Sequence, residues 1–403
     1  MKKQTVIILL TIVSILIILM VAWVIIDKKE NERIDAEAVT LKENLEIEYG
    51  KEAKASDFIE NLNGTMVNDT EIDTNQLGKI EVEFEFINIK NKKRTAKFYI
   101  ETKDVTAPKI FSGSSYTVKK GYTKQLENVL MSGDDIDDTP TRKIIGDYDF
   151  NTAGDYNLTY AVTDASGNET KKDFVLHVVE PSNNNNTTPV EKEKKNIEDI
   201  ISTYKSETTK IGIDVSKWQG DIDWQKVKEA GIEFAFIRMG YQKDYDAGFE
   251  IDPYFEKNME GAKNAEIPVG LYFYSYAKTV AQAEEQANWV KEQIKNYKID
   301  LPIAFDWESW SSFNTANMSF NTINKVADTF MKTIENTGDY TGMLYSSKNY
   351  LEKIWYPTEF KTWLAHYTSK TNYTGNYYVW QMCDTGKIDG INADVDIDIM
   401  YLN

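Results

Sequence analysis

The distribution of apolar residues divides the chain into an apolar N-terminal run, a region of short alternating stretches and a region of longer mixed patterns. The run from Thr5 to Ile26 is 22 residues long, carries no charge and would be about 33 Å long as a helix. That length spans the hydrocarbon core of a bilayer and exceeds the apolar stretch of a cleaved signal peptide, which is the alternative. The run therefore predicts an uncleaved transmembrane signal anchor at residues 5–26, behind a short cytoplasmic N-terminus at residues 1–4.

Apolar and polar residues alternate over short stretches from about residue 38 to residue 180, which is typical of antiparallel strands. The pattern repeats at an offset of 76 residues, because the turn Asp73–Gly78 corresponds to Asp149–Gly154 and the apolar positions that follow coincide. The repeat predicts two β-sandwich modules, residues 38–105 and 106–180, which we expect to act as spacers. An acidic cluster in the second module could bind calcium or form a solvated loop, and its spacing is not that of an EF-hand: Asp134, Asp135, Asp137 and Asp138.

Residues 181–209 are polar, with four consecutive asparagines followed by alternating Glu and Lys, and we interpret them as a linker without a core. Beyond this segment, residues 210–403 alternate between strand and helix patterns. Strands are predicted near 211–216, 233–238, 268–275, 302–308, 341–346, 361–366, 377–381 and 395–400. Helices are predicted near Trp224–Ala230, Pro253–Ala265, Val280–Tyr297, Phe320–Asn336 and 347–354. Eight strands, with regular helices only between the first five or six, predict a closed parallel barrel that is irregular in its last third.

The composition restricts the chemistry that the chain can perform. It has 46 basic and 64 acidic side chains, one cysteine and two histidines. One cysteine allows neither an internal disulfide nor a cysteine-rich zinc site, and the acidic excess argues against nucleic-acid binding. We therefore expect no metal and no cofactor, and carboxylates are the expected catalytic groups.

Carboxylates occur at the ends of several predicted barrel strands, where barrel active sites lie. Asp214 ends the first strand, Asp306 and Glu308 end the fourth on one face, and the last strand carries Asp394, Asp396 and Asp398. Two carboxylates at positions i and i+2 lie roughly 6–7 Å apart, so their charges push one pKa upward and leave an acid beside an anion. Glycoside hydrolysis requires this pair, although an isolated Asp-x-Glu is also compatible with a solvated strand end.

Aromatic residues follow the same strand ends. Each alone could pack in the core, but together they predict a carbohydrate groove in which rings stack on sugar faces. The set comprises Tyr241, Tyr272, Tyr274, Tyr276, Tyr345, Trp363, Tyr367 and Trp380.

Two parts of the chain resemble known families. The second β-module, with Thr106-Ala107-Pro108 at its start and Ala161–Asn168 near its end, resembles bacterial Ig-like modules, whereas the first module lacks the second signature. Residues 210–403 resemble glycoside hydrolase family 25, the lysozyme-type muramidases. The segments that carry this resemblance are Ile211–Gly220, Phe236–Tyr241, Pro268–Tyr276, Phe305–Glu308, Thr362–Tyr367, Val379–Gln381 and Asp394–Asp398.

The resemblance implies an irregular (β/α)5(β)3 barrel that cleaves the β-1,4 bond between N-acetylmuramic acid and N-acetylglucosamine. Glu308 would be the general acid, Asp306 the stabilising carboxylate, and Asp214 and Asp396 the outer carboxylates. We expect the substrate-binding residues to be Arg238, Tyr241, Tyr272, Tyr274, Tyr345, Trp363, Tyr367, Trp380 and Gln381. A covalent and a substrate-assisted route both remain open.

These observations combine into one expected organisation: a membrane anchor, two Ig-like modules and a peptidoglycan-cleaving barrel outside the cell membrane. The expected partners are peptidoglycan strands and the cell membrane, with no nucleic acid. The alternative is a non-catalytic protein that binds cell-wall glycan and keeps the barrel as a receptor. Retention of four carboxylates favours the enzyme, because a receptor has no need for a pair of like charges.

Overall fold

The computed structural model describes residues 2–181, 193–309 and 313–402. The chain divides into two compact units, Met1–Thr106 and Ala107–Asn403. The first unit begins with helix α1, Lys2–Ala36, which contains the run predicted as an anchor. The side chains from Ile12 to Ile26 are exposed. Over the described residues, no helix combines the length and the apolar character of a membrane span.

The rest of the first unit is a small β-fold in which apolar side chains alternate along a long hairpin. Its strands are β1 (Val39–Leu41), β2 (Glu46–Glu48), β3 (Ile59–Leu62), β4 (Gly64–Met66), β5 (Gly78–Asn88) and β6 (Lys93–Lys103). The main sheet has the order β2-β6-β5-β4, and β1 pairs with β3. Val82, Phe84 and Phe86 of β5 form the core with Phe98 and Ile100 of β6. The alternating pattern therefore places one face of the hairpin inside, as expected.

The second unit opens with another β-domain, whose elements are β7 (Lys109–Ile110), β8 (Ser115–Lys119), α2 (Leu126–Val129), β9 (Ser132–Gly133), β10 (Thr141–Ile145), β11 (Gly154–Thr163) and β12 (Glu169–Val179). The sheet order is β10-β11-β12-β8, and β7 pairs with β9. The repeat seen in the sequence is visible in the hairpins, because β5 and β11 begin at Gly78 and Gly154, 76 residues apart. Both regions are thus β-domains, and the Ig-like character of the first remains a prediction.

The remaining residues form the barrel domain. Its elements are β13 (Lys195–Asn196), α3 (Ile197–Tyr204), β14 (Thr209–Val215), α4 (Trp224–Glu229), β15 (Phe234–Gln242), β16 (Phe249–Ile251), α5 (Phe255–Asn264), β17 (Val269–Tyr274), α6 (Val280–Ile294), β18 (Ile303–Asp306), α7 (Phe313–Ala316), α8 (Phe320–Glu335), β19 (Gly342–Ser347), α9 (Lys348–Leu351), β20 (Lys361–Ala365), β21 (Val379–Lys387) and β22 (Val395–Tyr401). The eight predicted strands are all found, within a few residues of their predicted positions.

The barrel closes through its last strand. Strands β14, β15 and β17 to β21 pair in parallel order, and β22 pairs antiparallel with both β21 and β14. Because β22 runs in the opposite direction, its first residues meet the last residues of the parallel strands, and Asp396 stands opposite Asp214. Reversal of one strand therefore brings carboxylates from both ends of the domain to one rim.

Two glycines allow large rings to fill the barrel interior. A Cβ atom on Gly212 would lie 2.4 Å from the Phe234 ring, and one on Gly270 would lie 2.3 Å from the Phe236 ring. The Phe236 ring stacks on Trp363 at 4.5 Å between centroids. The interior below the rim is thus a packed core, and a ligand cavity is expected at the rim.

The predicted linker, residues 181–209, differs from the structure in its second half. Residues 182–192 lie outside the described residues, but β13 pairs with β21 and helix α3 buries Ile197 and Ile200 in the core of the barrel domain. The barrel domain therefore begins before residue 210. The polar character of the preceding stretch concealed the apolar face of a helix of only eight residues.

Replacing Ile200 by alanine tests whether helix α3 belongs to the barrel core. We expect Ile200→Ala to lower the free energy of unfolding by about 2–4 kcal/mol, because a buried side chain is removed and a cavity remains. Glu198→Ala, on the exposed face of the same helix, is the control and should change it by less than about 0.5 kcal/mol. Urea unfolding followed by tryptophan fluorescence measures both, and equal stabilities would contradict the placement of α3.

Candidate active site

The carboxyl ends of the parallel strands surround a cavity of about 270 Å³ in the barrel rim. It lies where sequence analysis placed the site, and it contains all four predicted catalytic carboxylates. The residues that line it are Asp214, Ser216, Trp218, Gln219, Arg238, Tyr272, Tyr274, Asp306, Glu308, Tyr345, Trp363, Tyr367, Gln381 and Asp396.

Asp306 and Glu308 form a coupled pair at the end of β18. Asp306 is 3% exposed, whereas Glu308 lies at the open side of the cavity. Burial raises the pKa of Asp306 well above its usual range, and the charge of Glu308 and a hydrogen bond to it act in the same direction. Desolvation also raises the pKa of Glu308, against the opposing effect of the hydrogen bond from Asp306. Both shifts favour a proton on the pair, with Asp306 as the donor of the hydrogen bond to Glu308.

Trp307, between the two carboxylates in sequence, points away from the cavity as strand alternation predicts. Its side chain is fully buried, and its ring lies 6.0 Å from that of Phe313 in an edge-to-face contact. The position of the acid pair is thus coupled to packing behind the strand.

Asp214 belongs to a second carboxyl pair, with Asp398 below it. Burial and the charge of Asp398 raise the pKa of Asp214 well above its usual range. Burial raises the pKa of Asp398 to about 8, although Trp363 Nε1 donates a hydrogen bond to its Oδ1 at 2.8 Å. One proton must lie between these two groups, because two buried anions in contact would repel each other. Asp398 was part of the acidic strand in the sequence but was not predicted as a site residue.

Gln381 fixes the orientation of Asp214. The hydroxyls of Tyr345 and Tyr367 donate to Gln381 Oε1 at 2.9 and 3.1 Å, so its Nε2 is free to donate to Asp214 Oδ2 at 2.7 Å. In this orientation all three contacts of the Gln381 amide are satisfied. Gln381 therefore acts on the cavity through Asp214.

Asp396 completes the set of carboxylates from the antiparallel strand. Burial, followed by the charges of Asp214 and Asp384, raises the pKa of Asp396 to about 9. Asp394, which sequence analysis put on the same face, lies outside the cavity, where ion pairs with Lys194 and Lys387 hold its pKa below the usual range. Of the three aspartates, Asp396 lines the cavity, Asp398 is buried below Asp214, and Asp394 lies outside the cavity.

Arg238 is a cation that lines the cavity beside these acids. Its Nε donates to Asp252 Oδ2 at 2.8 Å, and Nη2 lies 2.7 Å from the same oxygen. Asp252 also accepts from the Lys217 backbone at 3.1 Å, just before the exposed ring of Trp218. The buried Asp252 therefore holds both a cation and a rim loop, and sequence reasoning missed it because Asp252 follows a short strand that was not predicted.

Most of the predicted binding residues line the cavity, but two do not. Tyr272, Tyr274, Tyr345, Trp363 and Tyr367 do so, together with Arg238 and Gln381. Trp380 lies on the opposite face of β21, where its Nε1 donates to the His366 carbonyl and its ring meets Tyr204. Tyr241 bonds Glu250 beside the strand, after a register shift between Arg238 and Gly240. Neither residue lines this cavity.

Three further lining residues, Ser216, Trp218 and Gln219, follow β14 directly. Ser216 caps the short turn Lys217–Gln219, and the Gln219 side chain accepts from the Ser216 backbone at 2.9 Å. This turn directs Trp218 outward, with 71% of its surface exposed. The Ser-Lys-Trp-Gln stretch was present in the family resemblance, so its position after a strand could have identified these residues.

The cavity is rich in acids but does not gather them as metal ligands. Among the described residues, no three carboxylates of this cavity have oxygens within 4.8 Å of one another. A carboxyl pair that shares a proton beside aromatic rings is instead suited to proton donation to a sugar oxygen. The fold and the cavity thus define the class of glycoside hydrolases.

Comparison with known proteins gives the family. Residues 213–391 match the family described as glycosyl hydrolases family 25, and residues 108–178 match the Ig-like domain of bacterial surface proteins. The chain belongs to glycosyl hydrolase family 25.

Individual relatives match about half of the chain. The uncharacterized protein YegX of Escherichia coli O157:H7 is 30% identical over 47% of this chain and 68% of its own length. The autolytic lysozyme of Clostridium acetobutylicum is 28% identical over 46% of this chain and 54% of its own length. The solved structure of the modular autolysin LytC from Streptococcus pneumoniae, with a synthetic peptidoglycan ligand, is 25% identical, covering 60% of this chain and 56% of that one, with a TM-score of 0.43.

Replacing Asp398 by asparagine tests the buried carboxyl pairs through stability. Because its pKa is raised, Asp398 stays neutral in the folded chain at pH values where it ionises in the unfolded chain. Its contribution to the free energy of unfolding is therefore full below about pH 4 and is lost as pH rises through about 8. We expect Asp398→Asn, which keeps an acceptor for Trp363, to gain on the order of 1 kcal/mol or more at pH 8 relative to the unchanged chain, and little at pH 4. Urea unfolding at both pH values measures this, and a gain independent of pH would contradict it.

Proposed function

We propose that this protein is an N-acetylmuramidase that cleaves the β-1,4 bond between N-acetylmuramic acid and N-acetylglucosamine in peptidoglycan. The observation that carries the proposal is the position of the Asp306–Glu308 pair in a cavity lined by aromatic rings, with Glu308 at the open side and the pKa of both carboxyls raised. The named lysozymes among the relatives support the same substrate class.

In the proposed reaction, Glu308 donates its proton to the glycosidic oxygen as the bond to the anomeric carbon breaks. Glu308 is the donor because it is the exposed member of the pair, while Asp306 is buried beneath it. The proton that Glu308 donates is the one shared by the pair: it passes from Asp306 along their hydrogen bond to Glu308 and from Glu308 to the glycosidic oxygen, which leaves both groups as carboxylates. Asp306 thus becomes an anion when positive charge develops on the sugar, which it stabilises.

The outer carboxyls have a different proposed role. With a pKa of about 9, Asp396 is neutral at pH 7 and can donate a hydrogen bond to a sugar hydroxyl or acetamido oxygen. Asp214, held by Gln381, lies opposite it across the strand pair. Arg238 is the nearby cation that lowers the pKa of Asp306 and limits the accumulation of negative charge in the cavity.

Replacing the acid by its amide tests the reaction. We expect Glu308→Gln to reduce the release of reducing ends from purified peptidoglycan by about 10²–10⁴-fold, because the amide cannot donate a proton to the leaving oxygen. Asp306→Asn should also lose most activity. The matched control is Glu260→Gln, an exposed glutamate on α5, which should retain full activity. Full activity of Glu308→Gln would refute the proposal, and fragment masses would identify the bond that is cut.

We also propose that the N-terminal run anchors the chain to the cell membrane, with residues 27–403 outside. The support is the uncharged sequence from Thr5 to Ile26 and the exposed apolar side chains from Ile12 to Ile26. A cell-wall substrate requires the barrel on the outer side.

Introducing two lysines into this run tests the anchor. We expect the chain to stay in the membrane pellet after alkaline carbonate extraction, and the double variant Ile17→Lys with Met20→Lys to become soluble. Each central lysine costs about 2.5–3.5 kcal/mol of insertion free energy. Glu32→Lys, beyond the run, is the control and should stay in the pellet. Extraction of the unchanged chain would contradict anchoring.

A further inference from the structure

The Ig-like domain, residues 108–178, packs against the barrel beside the end of the strand that carries the acid pair. Both belong to the same compact unit, Ala107–Asn403. The contacts involve barrel residues 313–322, which include α7 and the first turn of α8. They include buried hydrogen bonds and close ring packing, which a spacer would not need.

Asn314 of α7 is the centre of the polar contact. Its Nδ2 donates to the carbonyls of Glu127 and Leu130, each at 2.8 Å, and its Oδ1 accepts from the Ser132 backbone at 3.0 Å. All three partners belong to the Ig-like domain, and Asn314 is only 7% exposed. Within the domain, Ser132 is in turn held by Tyr160 and Arg142. A buried amide whose partners all lie on another domain would leave unpaired groups on both surfaces if the domains separated.

The acidic loop of the Ig-like domain caps helix α8. The backbone N–H groups of Phe320 and Asn321 donate to the carbonyls of Asp134 and Asp135 at 2.8 and 3.0 Å. Asp138 Oδ1 accepts from the Ser319 backbone at 2.6 Å and from the Thr322 hydroxyl at 2.7 Å. The first turn of a helix has unpaired donors and a partial positive charge, so carbonyls and a carboxylate stabilise it there. The loop that sequence analysis described as a calcium site or a solvated loop thus contributes to the interface.

A chain of aromatic rings connects this interface with the acid pair. Trp307 contacts Phe313, Phe313 stacks on Phe320 at 5.6 Å, and Phe320 meets Phe111 of the Ig-like domain at 5.7 Å. Gly133 lies against the two phenylalanines of the barrel, where an added Cβ would be 2.7 Å from each ring. The absence of a side chain at Gly133 therefore allows the domains to come this close.

We propose that the Ig-like domain contributes to catalysis. It positions Glu308 by supporting Trp307 through Phe313 and Phe320. This inference rests on the proposed muramidase function. The segment between β18 and α8 contains the four-residue helix α7. A helix this short holds a fixed position only when other groups bind it, and here they include residues of the Ig-like domain as well as the barrel core in which Phe313 and Ala316 are buried. Phe313 and Asn314 are accordingly positioning residues, which act on the reaction through Trp307.

Two substitutions in the full-length chain separate the domains without changing the cavity. Gly133→Val inserts methyl groups between the phenylalanine rings. Asn314→Asp keeps the shape of the side chain but replaces two donors by a carboxylate that faces two carbonyls, so it remains informative if the valine variant fails to fold. The control is Gly154→Val in the same domain, where an added Cβ meets nothing within 4 Å. Hydrogen exchange of residues 313–322 shows whether the domains have separated.

We expect both separating variants to lower kcat on purified peptidoglycan by roughly 10- to 100-fold, since small misplacement of a catalytic group has an effect of this size. KM should change less than about twofold, because the aromatic cavity is intact, and hydrogen exchange should increase at residues 303–309. A purely structural role would instead lower the amount of folded barrel and leave kcat per folded molecule unchanged.

The outcomes distinguish this inference from the proposed function. If the unchanged chain cleaves peptidoglycan and separated variants do so with the same kcat, the positioning role is refuted and the muramidase function stands. If the unchanged chain does not cleave, the function is refuted, and exchange at residues 303–309 decides whether the Ig-like domain still holds the strand end. Unchanged exchange at 303–309 in separated variants overturns the positioning role in either case.

Discussion

The organisation of the barrel rim depends on the cost of burying carboxyl groups together. Asp214, Asp306, Asp396 and Asp398 are all largely removed from water, and burial is the largest cause of the raised pKa of each. Four anions in this volume would repel one another, so the fold is compatible with them only if protons remain on several. The hydrogen bonds from Gln381 and Trp363 and the nearby Arg238 reduce this cost without removing it. Burial of these acids lowers the stability of the fold, but it provides proton donors at the rim, where a sugar oxygen can contact them.

Much of this arrangement follows from local sequence, because strand alternation and barrel geometry are simple rules. Asp306 and Glu308 lie on one face with Trp307 on the other, and the eight strands lie near their predicted positions. The same alternation could have excluded Trp380, since its neighbour Gln381 faces the cavity. Tyr241 was harder to assign, because the register shift after Arg238 interrupts the alternation and cannot be read from residue types. Asp252 and Asp398 act through partners distant in sequence, so only the folded chain reveals them.

The interface between the Ig-like domain and the barrel was also beyond prediction, for a physical reason. Its main contacts join Asn314 to residues some 180 positions earlier and use backbone carbonyls, which have no sequence signature. An aspartate loop looks solvated in the sequence because nothing local indicates that a helix N-terminus will cover it. The apolar residues do not reveal the interface either, because Phe313 and Phe320 could belong to the core of the barrel alone. A domain joined by a polar segment was therefore interpreted as a spacer, although its surface complements the barrel.

The buried carboxyls also affect how the net charge of the chain is interpreted. The excess of 18 negative charges is counted with every carboxyl ionised, but the raised pKa values of the buried rim acids mean that they contribute less negative charge near pH 7 than this count implies. Peptidoglycan is itself largely anionic, and long-range attraction is not expected to bring the two together. Binding must then come from short-range contacts, for which the rim offers the exposed Trp218 and several tyrosines around neutral donors. An anchor at the membrane would add to these contacts by raising the local concentration of the barrel near the wall, which requires no further affinity in the cavity itself.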